Sequence, residues 1–413
     1  MDVNSKPLIS DSPTPPFDLE LAQELLTTYG SPLYVYQGEQ LRHTIQRITQ
    51  AIPYQHTQFR FASVTNSNIA LLQIFRSMGW GLHANTPGDI YLGLEAGFSP
   101  SNIVYSGSNL NYIEMREVLN WGVKTLNLDS LAQLQLCCEI YQQMQHMASV
   151  AIPRLGLRLN IPEITGDSRI GVQPEELSTA VNITHQTGLK LSGLHFYRGT
   201  GTNATTAFTQ VIDTILSLGQ RLPDWEYLDF GGGFGYPYRH GGAAFDWEEF
   251  GVEITKGIRR LGREIDLVIE PGRAAIAGCA TLLAQVVSVK WQGEKQIVGV
   301  DTTVANLSVP SVHGGYREIV ALKNHNSQSK VYTTNVCGNT TYSRDFLGKN
   351  CQLPALEISD ILAILDVGAY GYAMSSHFLH RPRPAEVLLE NATHRLIRKR
   401  EDYSILLQNQ VFN

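Results

Sequence analysis

Short apolar runs, each closing in a polar or glycine-rich turn, recur along the first two thirds of the chain: "FRFASV", "GWGLHAN", "NIVYSG", "TLNLD", "LGLRLNI", "SGLHFY", "EYLDFGGG" and "LVIEPG". Between them lie stretches with apolar residues three and four apart, such as "SLAQLQLCCEIYQQMQ" and "TTAFTQVIDTILSLGQ", the spacing of amphipathic helices. Thr86-Pro87 suits a helix N-cap and first turn, and Gly97 a stop. Strands alternating with helices eight times over roughly 230 residues predict a parallel (β/α)8 TIM-type barrel in preference to an open sheet. After Glu270 the helical spacing fades, and "TLLAQVVSVKWQ", "KQIVGVD", "SKVYTTNV" and "DILAILDVGAY" read as strands of an all-β domain. "PLYVY" (Pro32 to Tyr36) is expected to join that domain from the other side of the barrel. The expected division is an N-terminal arm and strand over 1–37, the barrel over 38–283 and the β domain over 284–413. The first sixteen residues, ending "SPTPP", read as a loose arm.

Composition narrows the function classes. In 413 residues, 43% hydrophobic and 17% charged content fits a globular protein with a large core. A net charge of -6 without a basic run gives no reason to expect nucleic acid or an anionic membrane as partner. "RLIRKRE" (Arg395 to Glu401) is the densest basic cluster and reads as a solvated edge. Five cysteines without CxxC spacing favour a reducing, cytoplasmic setting over a disulfide framework or a metal site. No apolar run is long enough to span a bilayer.

In a barrel of this kind the site sits at the C-terminal strand ends, with phosphate often held after strands seven and eight. "GGGFG" (Gly231 to Gly235) follows the seventh run and "EPGR" (Glu270 to Arg273) the eighth. Consecutive glycines let backbone N–H groups approach a phosphate, and Arg273 adds a charged fork. Glycines that merely relieve crowding at the rim are the alternative; the two motifs together at the two expected strands favour a phosphorylated ligand. Arg158 in "LRLN" is costly to bury unless paired or facing a ligand. His195 in "GLHFY" suits a barrel-core histidine as well as a catalytic one, and Asp129 suits a helix N-cap better than an acid catalyst.

These motifs, in this order, resemble the pyridoxal-phosphate decarboxylases of the alanine-racemase-type (fold-type III) barrel, closest to diaminopimelate decarboxylase. The likeness runs from "PLYVYQGEQLR" through "GLEAGFSPSNIVYSG", "GLHFYRGT", "LDFGGGFG", "IEPGR" and "VGAYGYAMSS" to "RPRPAEVL" and "LIRKREDY". The resemblance implies that Gly231, Gly232, Gly233 and Arg273 hold the cofactor phosphate. It matches Glu270 to the acid that keeps the pyridine nitrogen protonated, Tyr370 to the phosphate-side tyrosine and Thr200 to the serine after the stacking histidine. Cys337 matches a cysteine that reaches the neighbouring subunit's site, which implies a homodimer.

One position departs sharply. The family writes Tyr-Ala-Val-Lys-Ala-Asn where this chain has Phe61 to Asn66, so Val64 stands where the Schiff-base lysine belongs. Lys349 is only a remote substitute. The stacking histidine is Tyr197, and the aspartate at the second strand's end is His83. The arginine and tyrosine that recognise the substrate's far carboxylate appear as Val309 and His313, and the acid after the interface cysteine as Gly338. The phosphate end is kept while the reactive end is rewritten. Two readings follow. One is a diverged enzyme that binds pyridoxal phosphate or a related phosphorylated ligand non-covalently and acts on an amino-acid-like substrate through Tyr197, His83, His313 and Cys337, with Arg158 and His195 beside the cofactor. The other is an inactive pseudoenzyme with a regulatory or scaffold role.

Overall fold

The computed structural model describes residues 16–147, 150–199, 201–323 and 330–412. Thr200 therefore lies outside the described residues, as does most of the proline-rich arm.

All eight apolar runs become strands of one closed parallel barrel: β2 Thr57–Ala62, β3 Gly81–Ala84, β4 Ile103–Tyr105, β5 Thr125–Leu128, β6 Arg154–Arg158, β7 Leu191–His195, β8 Tyr227–Asp229 and β9 Asp266–Ile269. The ring closes where Phe59 of β2 registers with Ile269 of β9. Alternation along each strand sorts the side chains. Phe59 stacks on Trp80 at 5.1 Å and Phe61 on Phe75 at 3.7 Å in the buried layer between barrel and helices. Polar side chains meet inside the barrel, where the buried Tyr227 donates from Oη to Asn127 Oδ1 at 2.8 Å. A glycine on β7 makes room for that ring: a Cβ on Gly193 would sit 2.0 Å from Tyr227 Cζ.

The helix predicted from Thr86-Pro87 spans Pro87–Glu95, with Thr86 and Asp89 forming a capping box and Gly97 at φ +87° just past its end. "SLAQLQLCCEIYQQMQ" forms one helix, Leu131–Met144. "TTAFTQVIDTILSLGQ" forms two, Thr206–Thr209 and Ile212–Gly219, separated at Gln210 and Val211.

The strands outside the barrel are β1 Leu33–Gln37, β10 Ala280–Gln292, β11 Lys295–Val300, β12 Ile319–Leu322, β13 Val331–Cys337, β14 Phe346–Pro354, β15 Ile361–Ile364, β16 Ala385–Glu390 and β17 Thr393–Arg398. They form one nine-stranded sheet in the order β14-β13-β11-β10-β1-β16-β17, with β15 pairing β10 and β12. β1, from "PLYVY", lies between β10 (antiparallel) and β16 (parallel), so the chain start is stitched to the chain end.

"RLIRKRE" behaves differently from a solvated edge. Arg398 pairs with the fully buried Glu386, which also accepts from Tyr36 Oη at 2.6 Å and Asn68 Nδ2 at 2.9 Å. Arg400 Nη2 donates to the Pro32 carbonyl at 2.6 Å. Guanidinium groups reach inward from the end of an edge strand and from the residues just after it, which residue polarity alone does not reveal.

Candidate active site

At the C-terminal mouth of the barrel lies a cavity of about 140 Å³. Strand ends and the turns after them line it: Val64 and Thr65 after β2, His83 and Asn85 at β3, Ser106 after β4, Arg158 at β6, His195 and Tyr197 at β7, Gly232 and Gly233 after β8, Glu270, Gly272 and Arg273 after β9, and Tyr370 from the sheet domain.

The glycine turn is shaped for close approach. Gly231 and Gly233 have φ of +66° and +97°, and a Cβ on Gly233 would meet the Gly199 carbonyl at 2.4 Å. The three glycines are not equivalent, because Gly231 N–H is turned inward and donates to Asp229 Oδ1 at 3.0 Å. Gly232 and Gly233 face the cavity. Across from them, the Arg273 guanidinium lies 5.1 Å from the Tyr370 ring centre. Tyr370 is held in a left-handed conformation (φ +58°), and its N–H donates to the Thr65 carbonyl at 2.9 Å.

Glu270 is buried at the floor. Its Oε2 lies 3.2 Å from His195 Nε2 and 3.6 Å from His83 Nε2, and its Oε1 accepts from Ser106 Oγ at 3.4 Å. Burial raises its pKa to about 7. Burial likewise lowers His195 to about 4 and His83 to about 3, the latter further opposed by His195 and Arg158. Both imidazoles are therefore neutral at pH 7, and their Nδ1 atoms are buried without a partner. Asp229 adjoins from below, its carboxyl pushed well up by burial and then by Glu270, with Asn127 Nδ2 donating to it at 2.8 Å. His195, Asp229 and Glu270 bring ligand atoms within 4.8 Å of one another, close enough to share a cation. The raised carboxyl pKa values let protons serve that purpose instead.

Arg158 faces the cavity with its guanidinium 5.0 Å from the Tyr197 ring centre, so the charge that looked costly on a strand sits at an opening. Asp129 is not the N-cap: Ser130 caps the helix by accepting from Gln133 N–H, and Asp129 accepts from Ser108 Oγ. Cys337 and His313 are absent from the cavity lining. His313 is exposed just past a short helix, and Cys337 closes β13 with its thiol pKa raised by burial and by Asp345. Lys349 lies on β14, its ammonium over the Phe346 ring at 4.2 Å; no lysine lines the cavity among the described residues. Asn85, Ser106 and Asp229 were not anticipated. Their positions at strand ends were the available signal, but small polar residues at strand ends are common in loops.

The polar residues around Val64 have structural duties. Ser63 Oγ donates to the His83 carbonyl at 3.0 Å, Asn66 Nδ2 to Tyr36 Oη at 3.0 Å and the Gly368 carbonyl at 3.1 Å, and Asn68 to Glu386. The loop is clamped between barrel and sheet, with the apolar Val64 left facing the cavity and 44% exposed.

A glycine turn after the seventh barrel strand, an arginine after the eighth and a buried carboxyl between them line one cavity at the C-terminal mouth of a parallel barrel. Residues 39–277 match the family described as pyridoxal-dependent decarboxylase, pyridoxal binding domain. The chain is 32% identical over 404 residues to diaminopimelate decarboxylase of Methanothermobacter thermautotrophicus, covering 94% of both chains. It superposes with a TM-score of 0.85 on Helicobacter pylori diaminopimelate decarboxylase complexed with L-lysine, at 25% identity over 94% of this chain and 98% of that one. With the M. jannaschii enzyme, at 23% identity over 95% and 94% of the two chains, the TM-score of 0.88 shows the shared fold. The chain belongs to the fold-type III pyridoxal-dependent decarboxylase family, and pyridoxal phosphate is its cofactor. The residues present fit that group: Gly232 and Gly233 bare their backbone to the cavity opposite Arg273, and the buried carboxyl of Glu270 lies at its floor. No helix among the described residues is long and apolar enough to cross a membrane.

Proposed function

We propose that this chain binds pyridoxal phosphate, or a close relative such as pyridoxamine phosphate, without a covalent link, and acts on an amino-acid-like substrate as a diverged cytoplasmic member of its family. The observation that carries the reading is Val64, which we place at the family's lysine position. It faces a cavity whose phosphate cradle and Glu270 are in place, and no lysine is found in the lining.

In this reading Gly232, Gly233 and Arg273 bind the phosphate through backbone N–H groups and a charge-assisted fork. Tyr370 closes that side and Tyr197 offers a ring face. The bound cofactor would supply an electron sink for the carbon beside an amino group. Glu270, with a pKa near 7, would hold or release a proton at the cofactor's ring nitrogen, with His195 and His83 flanking its carboxyl. His83 and His195 stay neutral and orient the carboxyl. Without a lysine amine there is no internal group to exchange with an incoming amino acid, so turnover depends on ligands arriving and leaving freely. Cys337 and His313, outside the cavity of their own chain, would serve only in a homodimer that brings them to the partner's cavity.

A second reading is a pseudoenzyme that keeps fold and surface but turns nothing over. The simultaneous presence of Val64 and Tyr197 favours it, since the family's proton-carrying groups are missing at both places. Calorimetry with pyridoxal phosphate, pyridoxamine phosphate and inorganic phosphate, on the parent and on Arg273→Ala, separates the two. Binding weakened by Arg273→Ala supports the first; absence of cofactor binding leaves the second.

A further inference from the structure

The opposite, N-terminal mouth of the barrel holds a second cluster of charge that the decarboxylase site does not use. A polar cleft of about 700 Å³ opens there among Gln58 and Arg60 of β2, Lys124 just before β5, Arg154 at the start of β6 and Asp266 at the start of β9. Arg60 points into the barrel from this end and is only 7% exposed. Its Nη2 donates to Gln58 Oε1 at 2.6 Å and its Nη1 to the Phe59 carbonyl at 3.2 Å, while Nε is buried with no partner. No carboxylate among the described residues forms an ion pair with it.

Arg154 is better supplied. Its Nη1 lies 2.8 Å from Asp266 Oδ2 and its Nε 3.4 Å from the largely exposed Glu226, and its guanidinium covers the Tyr227 ring at 4.4 Å. Lys124 adds a third cation, so the cleft lining carries three positive groups against the one carboxylate of Asp266. Asp229, Glu270 and Asp266 act on the Arg60 charge only from beyond ion-pair distance; a buried guanidinium with no carboxylate in contact is costly, and Arg is the side chain whose planar fork best matches an oxyanion. The cleft is also much roomier than one ion requires.

We propose that the N-terminal mouth of the barrel is a binding site for a phosphate-bearing small molecule, its phosphate seated on Arg60 with Arg154 and Lys124 at the rim. This site is separate from the cofactor cradle, and its existence does not depend on the function proposed for that cradle. The buried, unpartnered Nε of Arg60 and the three cations that line one cleft carry the assignment. Phosphate is favoured over a single carboxylate because three cations converge on one opening and a phosphate offers oxygens to all of them.

The test is calorimetry with inorganic phosphate, glycerol 3-phosphate and acetate at low ionic strength. The parent should take up two phosphates per chain, one at the cradle and one at the mouth, and Arg273→Ala should remove only the first. In the Arg273→Ala background, Arg60→Gln should weaken the remaining phosphate at least tenfold, and Lys124→Glu, an exposed change that leaves the core intact, should do so by roughly the same factor. Glycerol 3-phosphate should bind at least as tightly as phosphate, and acetate weakly or not at all. If Arg60→Gln does not fold, Lys124→Glu alone decides. The proposal is overturned if Arg273→Ala protein takes up no phosphate at about 10 mM. It is equally overturned if Lys124→Glu leaves the affinity unchanged, or if acetate binds as well as phosphate. The decarboxylase-site reading fails independently, when the parent binds no pyridoxal phosphate.

Discussion

Asn68 Nδ2 donates to Glu386 Oε2 at 2.9 Å, and that bond ties the loop carrying Val64 to a strand of the sheet domain. Tyr36 and Arg398 complete the shell around the buried carboxylate. Barrel and sheet thus meet at one charge that three elements share.

Asn68→Ala should therefore destabilise the protein by about 1–3 kcal/mol, because it strips a donor from a buried charge. It also loosens the cap of the helix Ile69–Ser77, whose Ala70 N–H donates to Asn68 Oδ1 at 3.0 Å. Urea unfolding measures the loss. A change below a few tenths of a kcal/mol would mean that water replaces the amide without cost.

Val64→Lys should convert reversible cofactor binding into covalent binding. The parent should lose added pyridoxal phosphate on dialysis and show no borohydride-fixed adduct on any lysine. The variant should turn yellow, and peptide mass spectrometry should find the reduced adduct on the introduced side chain. An adduct on Lys349 or another natural lysine in the parent would sink the proposal that the anchor is missing.

Acid sensitivity should come from the site floor. His83 and His195 fall from 6.5 to about 3 and about 4, while Glu270 rises from 4.5 to about 7. The stability carried by the depressed imidazoles is present above pH 6.5 and lost as pH falls. The raised carboxyl acts oppositely, its contribution present below pH 4.5 and lost as pH climbs through 7. Between pH 6.5 and 4.5 the unfolded chain holds imidazole protons that the fold refuses, while the fold holds carboxyl protons on Glu270 and on Asp229, whose pKa burial also raises, so the two contributions oppose each other. His83→Asn removes one imidazole contribution, so relative to the parent the variant should gain stability on acidification by on the order of 1 kcal/mol per pH unit, read from urea midpoints at pH 6.5, 5.5 and 4.5. An unaltered slope would show His83 charged in the fold.

In solution the protein should be a homodimer. Cys337 and His313 lie outside the cavity lining of their own chain, and the proposed roles for them require a second copy. Light scattering at micromolar concentration should give twice the chain mass of 45.8 kDa. A monomer would leave both residues without a function at the site.

Gly233→Ala should abolish phosphate binding at the cradle while far-UV circular dichroism stays close to that of the parent. The residue is at φ +97° with a carbonyl 2.4 Å from the position of a Cβ, so the turn must move to accept a methyl group. Retained affinity would show that the cradle is not where phosphate binds.

The order of residues by itself determined the barrel, because each of its strands is a local apolar run ended by a turn, and period and punctuation survive in one dimension. The same holds for the glycine turn and the arginine of the cavity lining, which sit at fixed offsets from strands seven and eight, and for the apolar Val64 among polar neighbours. What only the tertiary structure decided are the relations between distant segments. Arg398 and Arg400 look like a solvated run until β17 is seen beside β16, where Arg398 meets Glu386. Asp129 reads as a cap until Ser130 takes that place. The neutral histidines flanking Glu270 come from β3 and β7, more than a hundred residues apart. Burial and charge pairing depend on which strand ends converge, and no local pattern encodes the desolvation that moves their protons.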